Sequence, residues 1–154
     1  MTTHSSNTPD DLAARLMSLW STPLPDDDAE ALAAVRGLYT DSVEVNGTVV
    51  AAADLLARAR ALQGAYSGLH HHLLDRVDTP DRLVIAFRLR GTHTGPLATP
   101  LGTVAPTGQP IDVRVIDVLT LTDGRISGIH MVADELGLLT GLGALELVEK
   151  APTP

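Results

Sequence analysis

Residues 111–139 read Ile111-Asp-Val-Arg-Val-Ile-Asp-Val-Leu-Thr-Leu-Thr122, then Asp123-Gly124, then Arg125-Ile-Ser-Gly-Ile-His-Met-Val-Ala133 and Asp134-Glu-Leu-Gly-Leu-Leu139. The segments 111–122 and 125–132 are rich in β-branched residues, which predicts two strands. The Asp-Gly pair between them is a favoured two-residue turn of a β-hairpin. The residues after Asp134 predict a short closing helix over 135–142. The remaining helices and strands of the fold are predicted from the rest of the chain.

Capping residues and apolar periodicity predict three helices earlier in the chain. The first begins after Asp10 or Asp11 and reaches about Trp20, the second begins at 26–28 and reaches about Tyr39, and the third covers 51–62. The remaining segments are predicted as a short strand or loop at 42–50, strands at 69–77 and 82–94, and a Gly- and Pro-rich loop at 95–110. Helices that precede an antiparallel sheet indicate an α+β fold.

Composition limits the classes of function. The chain has 154 residues, 44% of them hydrophobic, and a net charge of −8. This length predicts one domain, at 10–147, between a disordered tail at 1–9 and a second tail at 148–154. The negative charge disfavours nucleic acid and anionic membranes as partners. No cysteine is present, which excludes disulfides and thiol chemistry. Without a membrane-length apolar run or a signal-peptide pattern, a cytoplasmic protein is expected.

Strand alternation singles out one acid among apolar side chains. Asp117 shares a face with Ile111, Val113, Val115, Leu119 and Leu121, so it is the single charge in that stripe. An acid in such surroundings should be desolvated, which raises its pKa and suits proton transfer near neutral pH. In the last strand, simple alternation puts His130 in phase with Ile126 and with Asp134 just beyond. Two such acids could act as an acid and a base.

The chain resembles the SnoaL-like polyketide cyclases, which belong to the NTF2-like superfamily. The resemblance covers roughly residues 12–145 and is specific in the second half of the chain. It is carried by Gly91-Thr-His-Thr-Gly95, Pro106-Thr-Gly108, Asp123-Gly-Arg-Ile126, the block that starts at Asp134, and Gly141-Leu-Gly143. The resemblance implies a cone-shaped barrel in which a curved antiparallel sheet, wrapped by N-terminal helices, surrounds one deep pocket.

The resemblance also implies an enzyme without cofactor that closes a ring in a hydrophobic small molecule of secondary metabolism. Asp134 matches the family's acid/base position, although its place before a helix is also typical of a helix cap. Asp117 stands where some cyclases have a histidine, and a buried pair with an arginine is the alternative for it. His130 could orient Asp134 or replace it as base.

Two other functions stay open. The limonene epoxide hydrolases also resemble this chain, and Arg88 falls where their catalytic arginine lies. Their second aspartate is Arg90 here, so their catalytic set is incomplete unless Asp117 replaces it. Both arginines could equally lie on a solvated strand face or bind substrate. The remaining alternative is an NTF2-like protein that binds a ligand without catalysis.

The histidines and aromatic residues give weaker signals. His70 and His72 point to the same face of a strand and could enter the pocket, but no cysteine or carboxylate joins them at ligand spacing, so no metal is expected. His93 is predicted to hold the following loop by a hydrogen bond, and catalysis is the alternative for it. Candidates for the cavity wall are Tyr39, Trp20, Met131, Tyr66 and Asn46.

A homodimer is expected as the smallest assembly. The prediction places Ile85, Phe87 and Leu89, together with Val113 and Val115, on an outer sheet face that the helices cannot cover. Exposed apolar patches of that size usually mark an interface.

Overall fold

The computed structural model describes residues 11–152, which contain four helices. They are α1 (Leu12–Ser21), α2 (Asp28–Leu38), α3 (Ala52–Ala65) and α4 (Glu135–Gly141). Asp11 caps α1 by accepting a hydrogen bond from the backbone N–H of Ala14, and Asp27 caps α2 in the same way with Glu30. Each cap satisfies a backbone donor that the first helical turn leaves free. The predicted tail at 1–9 and the alternative cap Asp10 lie outside the described residues.

Six strands form the main sheet: β1 (Tyr39–Val45), β2 (Thr48–Ala51), β3 (Tyr66–Asp78), β4 (Arg82–His93), β7 (Pro110–Thr122) and β8 (Arg125–Ala133). Their order is β2-β1-β8-β7-β4-β3, which leaves the curved sheet unclosed. The sheet is mixed, because β1 runs parallel to β8. The predicted sheet was wholly antiparallel, and this one pairing corrects it. The predicted loop at 95–110 also contains a small hairpin of β5 (Leu97–Thr99) and β6 (Gly102–Val104).

Two tight turns join neighbouring strands of the sheet. Asp123 and Gly124 have φ values of 51° and 75°, and Asn46 and Gly47 have 48° and 84°. Positive φ at both central residues belongs to the turn whose twist matches the twist of paired strands. The Asp-Gly hairpin between β7 and β8 is therefore confirmed.

The concave face of the sheet packs against the helices and forms the core. Leu83, Ile85, Phe87 and Leu89 of β4 are all buried on this face, as are Val113 and Val115 of β7. The prediction that these stripes lie on the outer face was wrong. Alternation separates the two faces of a strand but does not say which one the helices cover.

A β-bulge in β8 changes which of its side chains face inward. Thr120 of β7 pairs with Gly128, and the next residue, Leu121, pairs with Ile126. Ser127 is therefore an extra residue in β8. One extra residue reverses the alternation that follows it. Ile126 and Ile129 are both buried as a result, whereas His130 lies on the outer face. The predicted common phase of Ile126 and His130 was therefore wrong.

Among residues 11–152, no helix is long and apolar enough to cross a membrane.

Candidate active site

A cavity of about 360 Å³ lies between the concave face of the sheet and the helices. Its wall is almost entirely apolar, with Leu16 and Met17 from α1, Leu55 and Leu62 from α3, and Leu138 from α4 opposite the side chains of β4 and β7. Arg58 and Glu135 are exposed and line the same cavity, so they mark its mouth. A volume of this size is typical of a site for a small apolar molecule.

Asp117 projects into this cavity from β7. Its neighbours across the sheet are Ile85 on β4 and Met131 on β8, and both line the cavity with it. The side chain is 9% exposed, and no described residue donates a hydrogen bond to its Oδ1 atom. Burial raises the pKa of the Asp117 carboxyl to about 6. The prediction of a desolvated acid is confirmed for its burial and for the direction of its pKa.

Asp117 has no arginine partner in the described chain. Arg76 lies on the same ladder of side chains, one strand beyond Ile85. Its guanidinium instead binds Asp11, at 2.6 Å, and Asp78, also at 2.6 Å. The alternative that Asp117 is half of a buried ion pair is therefore wrong.

Tyr39 and Trp20 line the cavity together. Tyr39 is 1% exposed, and its hydroxyl oxygen accepts a hydrogen bond of 2.8 Å from Nε1 of Trp20. Burial raises the pKa of Tyr39 well above its ordinary value, the hydrogen bond from Trp20 opposes this, and the charge of Asp117 raises it further. Tyr39 therefore keeps its proton throughout the physiological range of pH. Both residues were predicted to line the cavity, and both do.

His71 is the histidine that enters the cavity. It pairs with Leu89, its ring lies 5.0 Å from that of Phe87, and its Nδ1 atom is buried without a hydrogen bond to any described residue. Burial lowers the pKa of His71 to about 4, with a further contribution from His70, so the ring is neutral at pH 7. Along the sheet, His71 and Asp117 are roughly 13 Å apart in the strand direction and about 10 Å apart across it.

Sequence reasoning chose the neighbours of His71 instead. His70 and His72 are paired with Arg90 and Arg88 and lie on the outer face of the sheet, away from the cavity. The reasoning that the two point to one face was correct. The signal that could have found His71 is the same alternation, because the residue between two outward side chains must point inward.

A model of the SnoaL-like polyketide cyclases matches residues 12–142. The chain belongs to the SnoaL-like polyketide cyclase family. The predicted resemblance is thereby confirmed. No curated protein matches the chain significantly.

Solved structures agree on the fold of this SnoaL-like chain. TsrD from Streptomyces laurentii is 22% identical, with a TM-score of 0.70 over 87% of this chain and 93% of its own. IdmH from Streptomyces antibioticus, described as a candidate polyketide cyclase, is 22% identical, with a TM-score of 0.66 over 88% and 99%. A protein from Catenulispora acidiphila with a ketosteroid isomerase-like fold is 13% identical, with a TM-score of 0.64 over 88% and 95%. The fold is NTF2-like, as predicted.

Asp134 of this SnoaL-like protein lies at the start of α4 and outside the cavity wall. Strand β8 ends at Ala133, and the Asp134 side chain is exposed. Its Oδ1 atom accepts a hydrogen bond of 2.8 Å from the backbone N–H of Gly137, which makes Asp134 the N-cap of the helix. The prediction of a pocket carboxylate at Asp134 is corrected. The Asp134 N–H still donates to the backbone oxygen of Arg114 on β7, but Ala133 lines the cavity, so alternation directs the Asp134 side chain away from it.

Three other predicted site residues lie on the outer face of the sheet. Arg88 and Arg90 both bind Asp112, with Nη1 of Arg88 at 2.9 Å and Nε of Arg90 at 3.2 Å from Oδ2. His130 lies on the same outer face beyond the bulge. These side chains are separated from the cavity by the sheet itself, so none of them contacts Asp117.

Met131, Tyr66, Asn46 and His93 have different places. Met131 and Tyr66 line the cavity as predicted. Asn46 instead forms two hydrogen bonds with the backbone of Met131. The buried ring of His93 bonds Thr107 through Nδ1 at 3.0 Å, which ties the loop after β4 to the strand, as predicted.

Among the residues from 11 to 152, no three His, Asp or Glu side chains are grouped so that they could hold a metal ion. The two outward histidines of β3 have no carboxylate at ligand distance in that part of the chain.

Proposed function

We propose that this protein closes a ring in a hydrophobic, polyketide-type molecule, and that Asp117 is its acid/base. The observation that carries the proposal is an unpaired, buried carboxylate in an apolar cavity of about 360 Å³. A buried polar group without a partner costs free energy, roughly 1–3 kcal/mol or more for a charged one. Functional sites often contain groups that destabilise the fold in this way, and the unpaired Asp117 carboxylate makes no contact with a described residue that would stabilise it.

The proposed chemistry is proton transfer followed by formation of a carbon–carbon bond. Asp117 removes a proton from a carbon next to a carbonyl group, and the electron pair passes into an enolate. The enolate carbon attacks a second carbonyl carbon of the same molecule, whose oxygen becomes negative. That oxygen then takes the proton back from Asp117. The protein ends in its starting state, and the sequence of steps requires no cofactor.

The pKa of Asp117 suits this task. With a pKa raised to about 6, the carboxyl is mostly ionised at pH 7 and is a stronger base than an exposed aspartate. Its ionised form is also destabilised by the apolar wall, which favours accepting a proton. Asp134 lacks these properties, because it is exposed and its carboxylate is engaged in capping α4. The proposal therefore gives Asp117 the role that the family resemblance implied for Asp134.

The family and its relatives support a cyclase over the alternatives. The family is named for polyketide cyclases, and IdmH carries that description. For an epoxide hydrolase, Arg88 would have to reach the acid that acts on the substrate, and it instead binds Asp112 on the outer face. For a protein that only binds ligand, the unpaired carboxylate of Asp117 has no evident use. We further propose an ester substrate, a role in antibiotic biosynthesis and a cytoplasmic location.

The test compares two aspartate variants on a panel of aromatic β-keto esters. Asp117→Asn keeps the size of the side chain but cannot accept the proton, so turnover should fall by roughly 10²–10⁴-fold. Asp134→Asn is the matched control, because asparagine also caps helices, and it should keep turnover within a few-fold of the wild type. Circular dichroism and thermal melts establish that both variants fold.

Other outcomes assign the function elsewhere. Loss of turnover in Asp134→Asn alone would restore that residue as the acid/base. Hydrolysis of an epoxide panel would support the second enzyme class. Tight binding of the esters, with no turnover by any form of the protein, would indicate a ligand-binding protein.

A further inference from the structure

Tyr39 has a hydroxyl proton that no described side chain or backbone group accepts. An indole N–H is a donor only, so in the 2.8 Å bond from Trp20 the tyrosine oxygen is the acceptor. The tyrosine proton must then point elsewhere. Among the hydrogen bonds of residues 11–152, none has the Tyr39 hydroxyl as donor. The group is nevertheless buried, at 1% exposure, and it borders the cavity.

Trp20 limits the directions that this proton can take. Its bond uses one lone pair of the hydroxyl oxygen and comes from the α1 side of the cavity. Since the ring of Tyr39 is held at the start of β1 among core side chains, the hydroxyl has little freedom to move. The donor is therefore preorganised, which is the condition under which a hydrogen bond to a developing charge accelerates a reaction.

Tyr39 and Asp117 line the same cavity. They project from β1 and β7, the two strands that flank β8 in the sheet. One group keeps its proton at neutral pH and the other is mostly ionised. The cavity therefore offers a hydrogen-bond donor and a base to one ligand. A carbonyl compound requires these two groups together when it loses a proton from the adjacent carbon.

We propose that Tyr39 donates its hydrogen bond to the enolate oxygen of the substrate, with Trp20 as the residue that positions it. The inference rests on the proposed function, because it assigns the partner of the base Asp117. It also specifies the substrate class: a 1,3-dicarbonyl compound whose carbonyl oxygen meets Tyr39 and whose central carbon faces Asp117. The C–H proton passes to Asp117, the electron pair moves to the oxygen, and Tyr39 keeps its proton.

The first experiment measures turnover of a β-keto ester by Tyr39→Phe and Trp20→Phe. Loss of one preorganised donor should lower kcat by roughly 10²–10³-fold in Tyr39→Phe and leave KM within a few-fold. Trp20→Phe keeps the hydroxyl but removes its anchor, so it should lower kcat by a smaller factor. A Tyr39→Phe variant with unchanged kcat, alongside an inactive Asp117→Asn variant, would overturn the inference and leave the cyclase proposal intact.

The second experiment needs no turnover. The probe is 4-nitrophenol, whose phenolate resembles an enolate and absorbs visible light. It is bound to Asp117→Asn, because the amide has the charge that Asp117 has after accepting the proton. At a fixed pH, the bound probe should be more ionised in Asp117→Asn than in Asp117→Asn with Tyr39→Phe.

Equal ionisation of the probe in these two proteins would overturn the inference. A difference in ionisation, combined with absence of turnover in the wild type, would support the role of Tyr39 as a donor to oxyanions while the cyclase proposal fails. Thermal melts of both proteins check that the tyrosine variant keeps its fold.

Discussion

The proton of Asp117 links the candidate site to the stability of the protein. Burial raises the pKa of this carboxyl from 3.8 to about 6, so the folded state binds the proton more tightly than the unfolded state. Between these two values, the free energy of unfolding falls as the pH rises. The loss over the whole window is about 3 kcal/mol, since each pKa unit corresponds to about 1.4 kcal/mol.

We therefore expect Asp117→Asn to be more stable than the wild type at pH 7.5 and nearly equal to it at pH 4. The amide carries no charge at any pH, so it avoids the cost of an ionised group in an apolar wall. Urea unfolding of both proteins at the two pH values measures the difference. The neutral ring of His71 contributes the opposite pH dependence, because the free energy of unfolding falls as the pH drops from 6.5 towards 4. This contribution is the same in both proteins, so it cancels in the comparison. A difference in stability that does not change with pH would contradict this account.

The exposed carboxylate of Asp134 should matter for α4 alone. Asp134→Ala removes the acceptor for the N–H of Gly137, and loss of such a cap costs about 1 kcal/mol. Asp134→Asn should lower the free energy of unfolding by only a few tenths of about 1 kcal/mol, since asparagine accepts the same hydrogen bond. Thermal melts measure both changes. Equal destabilisation by the two substitutions would mean that the charge, rather than the cap, supports the helix.

At the scale of the elements, Gly95 joins the end of β4 to the end of α3. Its N–H donates to the backbone oxygen of Ala65 at 3.0 Å, and a Cβ atom at this position would overlap the carbonyl oxygen of Gly64. Backbone atoms cannot move aside as a flexible side chain can. The close approach therefore explains a glycine at this position.

Gly95→Ala should destabilise the protein by roughly 1–3 kcal/mol, the usual range for overpacking. The matched control is Gly64→Ala on α3, where a Cβ atom meets nothing within 4 Å. That substitution should stabilise the helix by up to about 1 kcal/mol. Urea unfolding compares the two variants, and a neutral Gly95→Ala would show that the two segments can separate without cost.

At the scale of the whole molecule, the outer face of the sheet is the surface that a second copy could cover. Val77, Ile116 and Val132 are exposed on it by 55%, 52% and 74%. They lie across three strands, with Val77 paired to Val84 and Ile116 paired to Val132. Exposed apolar patches of this kind usually mark interfaces, so the proposal of a homodimer now rests on these residues.

We expect the wild type to scatter light as a dimer at micromolar concentration, and Val132→Arg to scatter as a monomer of half that mass. An arginine buried in the interface without a partner would carry a desolvation penalty larger than the free energy that holds the two copies together. Because Val132 is exposed within one copy, the substitution should leave the monomer fold intact, which circular dichroism checks. A monomeric wild type would refute the proposal.

Local pattern alone determined much of this protein. The helices, the Asp-Gly hairpin and the position of Asp117 as the single charge in an apolar stripe all depend on residues close together in the sequence. Helix and strand periods, caps and turn residues act over a few positions, so they can be read without the fold. Tyr39, Trp20 and Met131 were also named as candidates for the cavity wall, and all three line it.

Tertiary structure decided which faces meet. The bulge at Ser127 reversed the alternation in β8, so His130 and Asp134 both point outward, and Asp134 caps α4 on the surface. The helices cover the face with Phe87, so the cavity formed there, with His71 inside it and Arg88 outside. The parallel pairing of β1 with β8 joins segments more than eighty residues apart. These outcomes depend on the packing of distant elements, and a period of two residues contains no information about which face becomes the interior.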